Sequence, residues 1–166
     1  MPFRLRAYEP ADFETLYILD RDCYPRGIAY SRGTLRWFLA QPGAECFVAI
    51  SGESDAQDFT STASSIAGFI VAAVEGSEGH IITLDVAIPY RRLGVGTALL
   101  GKMERRLADR GVHRVSLETK TSNEAAVAFW NRHGYRTVSV LRRYYLDRFD
   151  AYFMQKWLGP ASEGRP

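Results

Sequence analysis

The chain has 166 residues, of which 46% are hydrophobic and 24% charged. These values are ordinary for a single globular domain and exclude a disordered chain. The longest apolar segments, such as 66–74, are far shorter than the ~20 residues that a membrane-spanning helix needs, so we expect no membrane partner. Residues 1–4 contain no apolar leader, and we therefore expect a cytoplasmic protein.

Charge is distributed unevenly along the chain. Residues 1–90 carry 6 Lys and Arg against 12 Asp and Glu, whereas residues 91–166 carry 15 against 7. The basic half reflects either solvated helix faces or a site for an anionic ligand, but the net charge of +2 is too small to indicate nucleic acid. Cys23 and Cys46 lie in apolar surroundings, which favours packed thiols over a disulfide.

Apolar spacing predicts helices and strands in the order βααβββαβαββ. The predicted strands are 3–7, 46–50, 66–74, 79–88, 112–119, 135–144 and 150–157. The predicted helices are 10–22, 31–39, one that begins after Gly96 and ends before Gly111, and 123–133. This order indicates a mixed α/β sheet with helices on both faces. A surface loop is predicted over 51–65 and a disordered tail over 159–166, which leaves one domain at 1–158.

The junction between the fourth strand and the third helix is the strongest motif. Gly94 and Gly96 allow a ligand to approach the backbone where the helix begins. Amides of the first helical turn lack partners, and the helix dipole adds partial positive charge there. With Arg91 and Arg92 beside them, these amides predict a pyrophosphate site. The segment is not a P-loop, and it lacks the third glycine of a dinucleotide-binding fingerprint.

Three segments in this order resemble the GNAT superfamily of N-acetyltransferases. The first is Arg91-x-x-Gly94-x-Gly96, which follows a strand ending in Val-Ala-Ile-Pro at 86–89. The second is Ser122–Tyr135, similar to the family's second CoA-side segment. The third, Arg143–Tyr145 followed by Asp150–Met154, is similar to the closing hairpin of N-terminal (Nα) acetyltransferases, including those that modify a ribosomal-protein alanine.

The resemblance implies a mostly antiparallel sheet with a V-shaped splay between the fourth and fifth strands. It implies acetyl-CoA as the cosubstrate and no metal. The residues implied to contact CoA are Val86, Ala87 and Ile88 for the pantetheine arm; Arg91, Arg92, Leu93, Gly94, Val95, Gly96 and Thr97 for the pyrophosphate; and Asn123, Ala126 and Trp130 on the following helix. For Asn123, a role as helix N-cap is compatible with such a contact.

The same resemblance suggests the catalytic groups. Glu118 matches the position of the general base in ribosomal-protein alanine acetyltransferases, and His80 stands where other members place a base. Tyr145 is a third candidate from the closing hairpin. The family often has a tyrosine acid where this chain has Trp130, and an indole cannot supply that proton. A CoA thiolate, with a pKa near 8.5, needs no dedicated acid.

The acceptor is expected to be a primary amine. Tyr24, Pro25 and Tyr30 lie between the first two helices, where related enzymes hold the first residue of a peptide, and Tyr144 lies in the hairpin expected opposite them. A protein or peptide N-terminus is the favoured acceptor, and a small-molecule amine is the alternative. A non-catalytic acetyl-CoA-binding homologue remains a third reading, and the chain is expected to be a monomer or a homodimer.

Overall fold

The computed structural model describes residues 3–52 and 65–159. Its strands are β1 (Phe3–Ala7), β2 (Ala44–Ser51), β3 (Ser65–Glu75), β4 (Glu78–Val86), β5 (Arg114–Lys120), β6 (Arg136–Tyr145) and β7 (Phe149–Trp157). Its helices are α1 (Phe13–Cys23), α2 (Arg32–Ala40), α3 (Val95–Asp109) and α4 (Glu124–Arg132). The order matches the sequence prediction. Most of the loop expected over 51–65, and the tail beyond residue 159, lie outside the described residues.

The strands form a seven-stranded, mostly antiparallel sheet in the order β1-β2-β3-β4-β5-β7-β6, flanked by helices. β4 and β5 are its parallel pair, joined through α3. Their register runs only from Glu78 opposite Arg114 to His80 opposite Ser116, although β4 continues to Val86. All seven residues of β5 pair with β7. The expected splay between the fourth and fifth strands corresponds to this early end of the β4–β5 ladder.

The chain divides into two compact units, which comprise Met1–Ala72 with Thr83–Met103, and Ala73–Ile82 with Glu104–Pro166. In the first unit the largest fully buried side chains are Leu16, Leu35, Val48, Phe69, Ile70, Leu99, Leu100 and Met103. In the second unit they are Leu107, Leu117, Tyr135 and Met154. Apart from Tyr135, which lies between α4 and β6, these side chains come from strands and from helices, as the apolar spacing requires.

Two predicted boundaries were wrong for identifiable reasons. The fourth strand ends at Val86 rather than at residue 88, because Ile88–Tyr90 forms a single 3-10 turn. Pro89 fixes its own backbone angle and cannot extend the ladder. The first helix starts later than Pro10, since Pro10–Asp12 forms another 3-10 turn before α1.

Gly68 on β3 fixes how closely the end of β4 approaches. A Cβ atom added at Gly68 would lie 2.6 Å from the backbone oxygen of Asp85 and 3.3 Å from the Cα of Val86. No side chain fits in that space without moving the backbone of β4. The glycine therefore positions the last residues of β4, where the cosubstrate motif begins.

Candidate active site

The end of β4 presents backbone groups toward the edge that faces away from β3. The amide of Ala87 donates to the carbonyl of Ala67 on β3 over 2.8 Å, and its carbonyl accepts from Tyr90. Because successive residues of a strand point their backbone groups to opposite edges, the amide and carbonyl of Val86 point away from β3. Both backbone groups of Ala87 are thus engaged within the chain, and the carbonyl of Val86 accepts from Arg91. The contacts with CoA expected of Val86 and Ala87 stay predictions.

The turn over residues 88–94 is largely exposed, and a buried residue follows it at the start of α3. Arg92 and Gly94 both have left-handed backbone angles, with φ of 60° and 84°. Leu93 is 46% exposed, whereas Val95, the first residue of α3, is 1% exposed. A Cβ atom at Gly94 would meet nothing within 4 Å, so the space over this turn is open. An anion can therefore reach the first turn of α3, which includes Gly96.

Arg91 does not simply extend into solvent. Its Nε donates to the carbonyl of Val86 over 2.8 Å, and its Nη2 lies 3.5 Å from the Sγ of Cys23. The thiol of Cys23 also lies 3.7 Å from the carbonyl of Val86. The guanidinium therefore joins the end of β4 to the end of α1 while keeping its charge beside the turn.

The two cysteines lack the chemistry of an acyl-carrying nucleophile. Burial raises the pKa of the Cys23 thiol to about 11, and burial also raises the pKa of Cys46. A thiol with such a pKa is almost entirely protonated near neutral pH, and only the thiolate attacks a thioester effectively. This agrees with direct transfer rather than transfer through a cysteine.

The segment between α1 and α2 carries the predicted acceptor residues of the first unit. Pro25 is exposed, whereas Tyr24 and Tyr30 are half-buried. The ring of Tyr30 packs edge-on against Phe38 of α2, with the ring centres 5.3 Å apart. Burial raises the pKa of Tyr24 well above its ordinary value, and the neighbouring Asp85 charge adds to that shift. The hydroxyl of Tyr24 is therefore a neutral group that faces the interior.

His80 and Glu118, the two candidate bases, form a hydrogen-bonded pair in the second unit. The Nε2 of His80 lies 2.7 Å from the Oε2 of Glu118, and the Nδ1 of His80 lies 2.9 Å from the Oγ of Ser116. The register places His80 opposite Ser116, and Glu118 follows two residues later on the same face of β5. With the proton on Nε2, Ser116 donates to the imidazole and the imidazole donates to Glu118.

The closing hairpin adds an aromatic pair to that unit. Tyr144 and Tyr145 end β6, with their rings edge-to-face and 4.8 Å between ring centres. Burial raises the pKa of Tyr144, and the negative charge of Glu118 raises it further. The electrostatic effect connects Tyr144 to the His80–Glu118 pair, while the catalytic role expected for Tyr145 stays a prediction.

α4 begins with a side-chain cap and carries a buried tryptophan near its end. The Oδ1 of Asn123 accepts from the amide of Ala126 over 3.2 Å, so the predicted N-cap is confirmed. Trp130 is 7% exposed and packs edge-on against Tyr135, with 5.3 Å between ring centres. Trp130 is thus a core residue here, in accord with the conclusion that its indole cannot supply a proton.

The first unit also buries two acids, and no sequence motif links them. Asp20 of α1 and Asp85 of β4 are 0% and 1% exposed. The burial of Asp85 can be predicted from the sequence, because alternate residues of β4 are buried and Asp85 shares that register with Ile81.

In the described ranges, no three His, Cys, Asp or Glu side chains are grouped so as to bind a metal ion. Within the same ranges, the helices are too short or too polar to cross a membrane.

Comparisons with known proteins agree on one family. The acetyltransferase (GNAT) family model matches residues 13–135. An N-alpha-acetyltransferase of Sulfurisphaera tokodaii is 40% identical over 78 residues, which is 46% of this chain and 47% of that protein. The chain thus spans about half the length of the first curated relatives it matches.

Solved structures show the same fold. The Escherichia coli ribosomal-protein-S18-alanine N-acetyltransferase has a TM-score of 0.81 at 24% identity, with 99% of each chain covered. Arabidopsis thaliana NAA60 in complex with acetyl-CoA has a TM-score of 0.78 at 22% identity, with 94% of this chain and 98% of that chain covered. At these identities the likeness concerns the fold.

Proposed function

The chain belongs to the GNAT acetyltransferase family, and on that premise we propose that it transfers the acetyl group of acetyl-CoA directly to the α-amine of a protein or peptide N-terminus. The observation that carries the proposal is the 2.7 Å contact between His80 and Glu118. It joins a carboxylate and an imidazole, two groups suited to remove a proton from an amine. The N-alpha-acetyltransferase name of its relatives supports the choice of acceptor.

The turn that follows β4 suits the diphosphate of acetyl-CoA. Its space is open at Gly94, its arginines are exposed, and α3 begins immediately after it. In this proposal the backbone of residues 93–97 and the charge of Arg92 hold the diphosphate. The amide of Val86 binds the thioester carbonyl, whose oxygen gains negative charge during attack. Asn123 and Ala126 lie at the start of α4 as the second group of CoA contacts.

The base accepts one proton as the amine attacks. The amine forms a bond to the acetyl carbon, the bond between that carbon and the CoA sulfur breaks, and the sulfur leaves as a thiolate. Glu118 takes the amine proton directly or through a water molecule, while the Nε2–H of His80 keeps donating a hydrogen bond to the other carboxylate oxygen and so orients it. Tyr144 and Tyr145 lie on the hairpin that we assign to acceptor binding.

The required base strength favours an N-terminal amine. An α-amine has a pKa near 8, so roughly a tenth is already neutral at pH 7. A lysine amine has a pKa near 10.4, and reaching its neutral form at pH 7 costs about 4.6 kcal/mol. One carboxylate with one imidazole is sufficient to deprotonate an α-amine and is poorly matched to the deprotonation of a lysine amine.

A direct assay tests this proposal. The full chain is incubated with acetyl-CoA and peptides that differ only in their first two residues, beside a parallel set of small amines and a peptide with a blocked N-terminus. CoA thiol release gives the rate, and mass spectrometry locates the acetyl group. We expect acetylation of peptide α-amines and none of the blocked peptide. Acetylation of small amines alone would overturn the assignment of the acceptor.

A further inference from the structure

Two buried carboxyl groups lie at the end of α1 and at the end of β4. Asp20 lies in the last turns of α1 and is 0% exposed, and Asp85 lies one residue before the end of β4 and is 1% exposed. Neither residue has a role in the reaction described above. Both belong to the first compact unit.

Each carboxyl group has one oxygen with a donor and one without. The backbone amide of Tyr30 donates to the Oδ2 of Asp20 over 2.7 Å, and the hydroxyl of Thr83 donates to the Oδ1 of Asp85 over 2.7 Å. Among the described residues, no donor reaches the Oδ1 of Asp20 or the Oδ2 of Asp85. A side-chain hydrogen bond between Asp20 and Asp85 lowers the pKa of Asp20 and raises that of Asp85, so the two side chains are neighbours, and a hydrogen bond from Tyr24 also acts on the pKa of Asp85. One proton between them supplies the donor that both oxygens lack.

Among the described residues, the side chains that act on the pair are Thr83, Tyr24 and Cys23, all uncharged near neutral pH. The guanidinium of Arg91 lies beside Cys23 and donates to the carbonyl of Val86 and toward the Sγ of Cys23 rather than to a carboxylate. Burial raises the pKa of Asp85 well above its ordinary value, and the charge of Asp20 raises it further. Two buried carboxylates in contact are too costly to remain ionised together.

We propose that Asp20 and Asp85 share a single proton, and that the resulting pair is a positioning device that holds the acceptor-binding segment, residues 24–31, against β4. Asp85 carries the proton and donates it to Asp20, because burial and the neighbouring charge of Asp20 raise the pKa of Asp85 well above its ordinary value, whereas the hydrogen bonds from Asp85 and from the amide of Tyr30 lower the pKa of Asp20. This inference rests on the proposed function only in assigning the acceptor to that segment. The pair itself touches neither substrate.

The arrangement makes the segment sensitive to base. The pair holds two protons at acidic pH and one proton between its two apparent pKa values, and because burial raises both, the shared proton is lost only as the pH rises through the upper of the two. When the shared proton leaves, two carboxylates repel each other across the contact. Tyr30 then loses its fixed acceptor, and residues 24–31 loosen.

Two measurements on the full chain without substrates test the pair itself. In the first, the side-chain carboxyl carbons of aspartate are labelled with ¹³C and titrated by NMR, with Asp20→Asn and Asp85→Asn to assign the signals. We expect one proton on the pair to persist well above pH ~3.9, the ordinary value for aspartate. Titration of both residues near that value would overturn the proposal. Asp22→Asn, which removes an exposed carboxylate from the same helix, is the matched control.

The second measurement is hydrogen exchange at the Tyr30 amide. Asp85→Asn keeps a donor toward Asp20, so protection should match the wild type at neutral pH and no longer fall as the pH rises. Asp85→Ala removes the donor and should speed exchange about tenfold. Equal exchange in both variants, or unchanged pH dependence in Asp85→Asn, would refute the positioning role. If Asp85→Ala does not fold, the pH dependence of exchange in Asp85→Asn still tests the positioning role.

Kinetics then connects the pair to acceptor binding. The KM for the peptide should rise with pH in the wild type and remain flat in Asp85→Asn, with kcat little affected. If the chain acetylates no peptide, the proposed function fails, and the NMR titration and hydrogen exchange still test whether Asp20 and Asp85 share a proton. If it acetylates peptides but KM does not follow the titration of the pair, the positioning role fails and the proposed function stands.

Discussion

The imidazole of His80 and the carboxylate of Glu118 lie 2.7 Å apart, and Ser116 fixes the other nitrogen of the imidazole at 2.9 Å. These three side chains come from two adjacent parallel strands, so their distances depend on the ladder between β4 and β5. In the proposed reaction they act as one proton-accepting unit.

Glu118→Gln keeps the size of the side chain and removes its basicity. We expect kcat to fall about 10²-fold or more, because the amide cannot accept the proton of the amine. The affinity for CoA, measured by calorimetry, should stay nearly unchanged. Glu75→Gln, which removes an exposed carboxylate of the same unit, is the control. A Glu118→Gln protein with full activity would exclude this carboxylate from the mechanism.

His80 and Glu118 should not contribute independently. His80→Gln alone should lower kcat/KM by disturbing the orientation of the carboxylate, and a double variant with Glu118→Gln should be little worse than Glu118→Gln alone. Residues that act as a unit give such non-additive losses in a double-mutant cycle. Losses that simply multiply would show that the 2.7 Å contact has no part in catalysis.

Gly94→Val should weaken CoA binding at least tenfold in calorimetry. The position has a φ of 84°, which a β-branched residue rarely adopts, so the turn must change shape even though the space is open. Gly111→Val is a matched control, since Gly111 has a φ of 80° and equally open surroundings at the other end of α3. It should lower stability and leave CoA affinity intact. Equal CoA affinity in both variants would count against the diphosphate site.

Gly68→Ala should lower the free energy of unfolding by about 1–3 kcal/mol, the usual range for overpacking. Its Cβ atom would meet the backbone oxygen of Asp85 at 2.6 Å. Denaturant unfolding measures the effect. Gly33→Ala on α2, where a Cβ meets nothing within 4 Å, should be neutral or stabilising. If both variants had the wild-type midpoint, the close approach of β3 and β4 would be wrong.

Cys23 should react slowly with a disulfide reagent at neutral pH and faster as the pH rises toward 11. Burial is the main cause of its raised pKa of about 11, and at pH 8 only about a thousandth of such a thiol is thiolate. Absorbance of the released thiol follows the reaction. Rapid labelling of Cys23 at pH 7 would reopen a covalent route through the thiol.

The sequence was sufficient for the fold because its local signals agree. Alternation predicts the strands, Asn123 is the expected cap of α4 and accepts from the amide of Ala126, and Gly94 lies in the expected turn before α3. Boundaries failed where a proline begins a short 3-10 turn, since apolar spacing alone does not separate such a turn from the end of a strand.

The sequence predicts individual residues of the candidate site, but it does not predict which of them are in contact. The sequence gives Glu118 and His80 as separate candidates for the general base, whereas the parallel register places them in one hydrogen-bonded pair. Arg91 was expected to serve the diphosphate alone, yet it also binds the carbonyl of Val86. The partner of Asp85 lies 65 positions away on α1, and no spacing rule links the two.

The contact between His80 and Glu118 depends on the register between β4 and β5. A slip of one residue between β4 and β5 would turn His80 to the opposite face of the sheet and part it from Glu118. Insertions or deletions between residues 87 and 113 that preserve this alignment leave the pair intact. The segment between the two strands can therefore differ in length without separating His80 from Glu118.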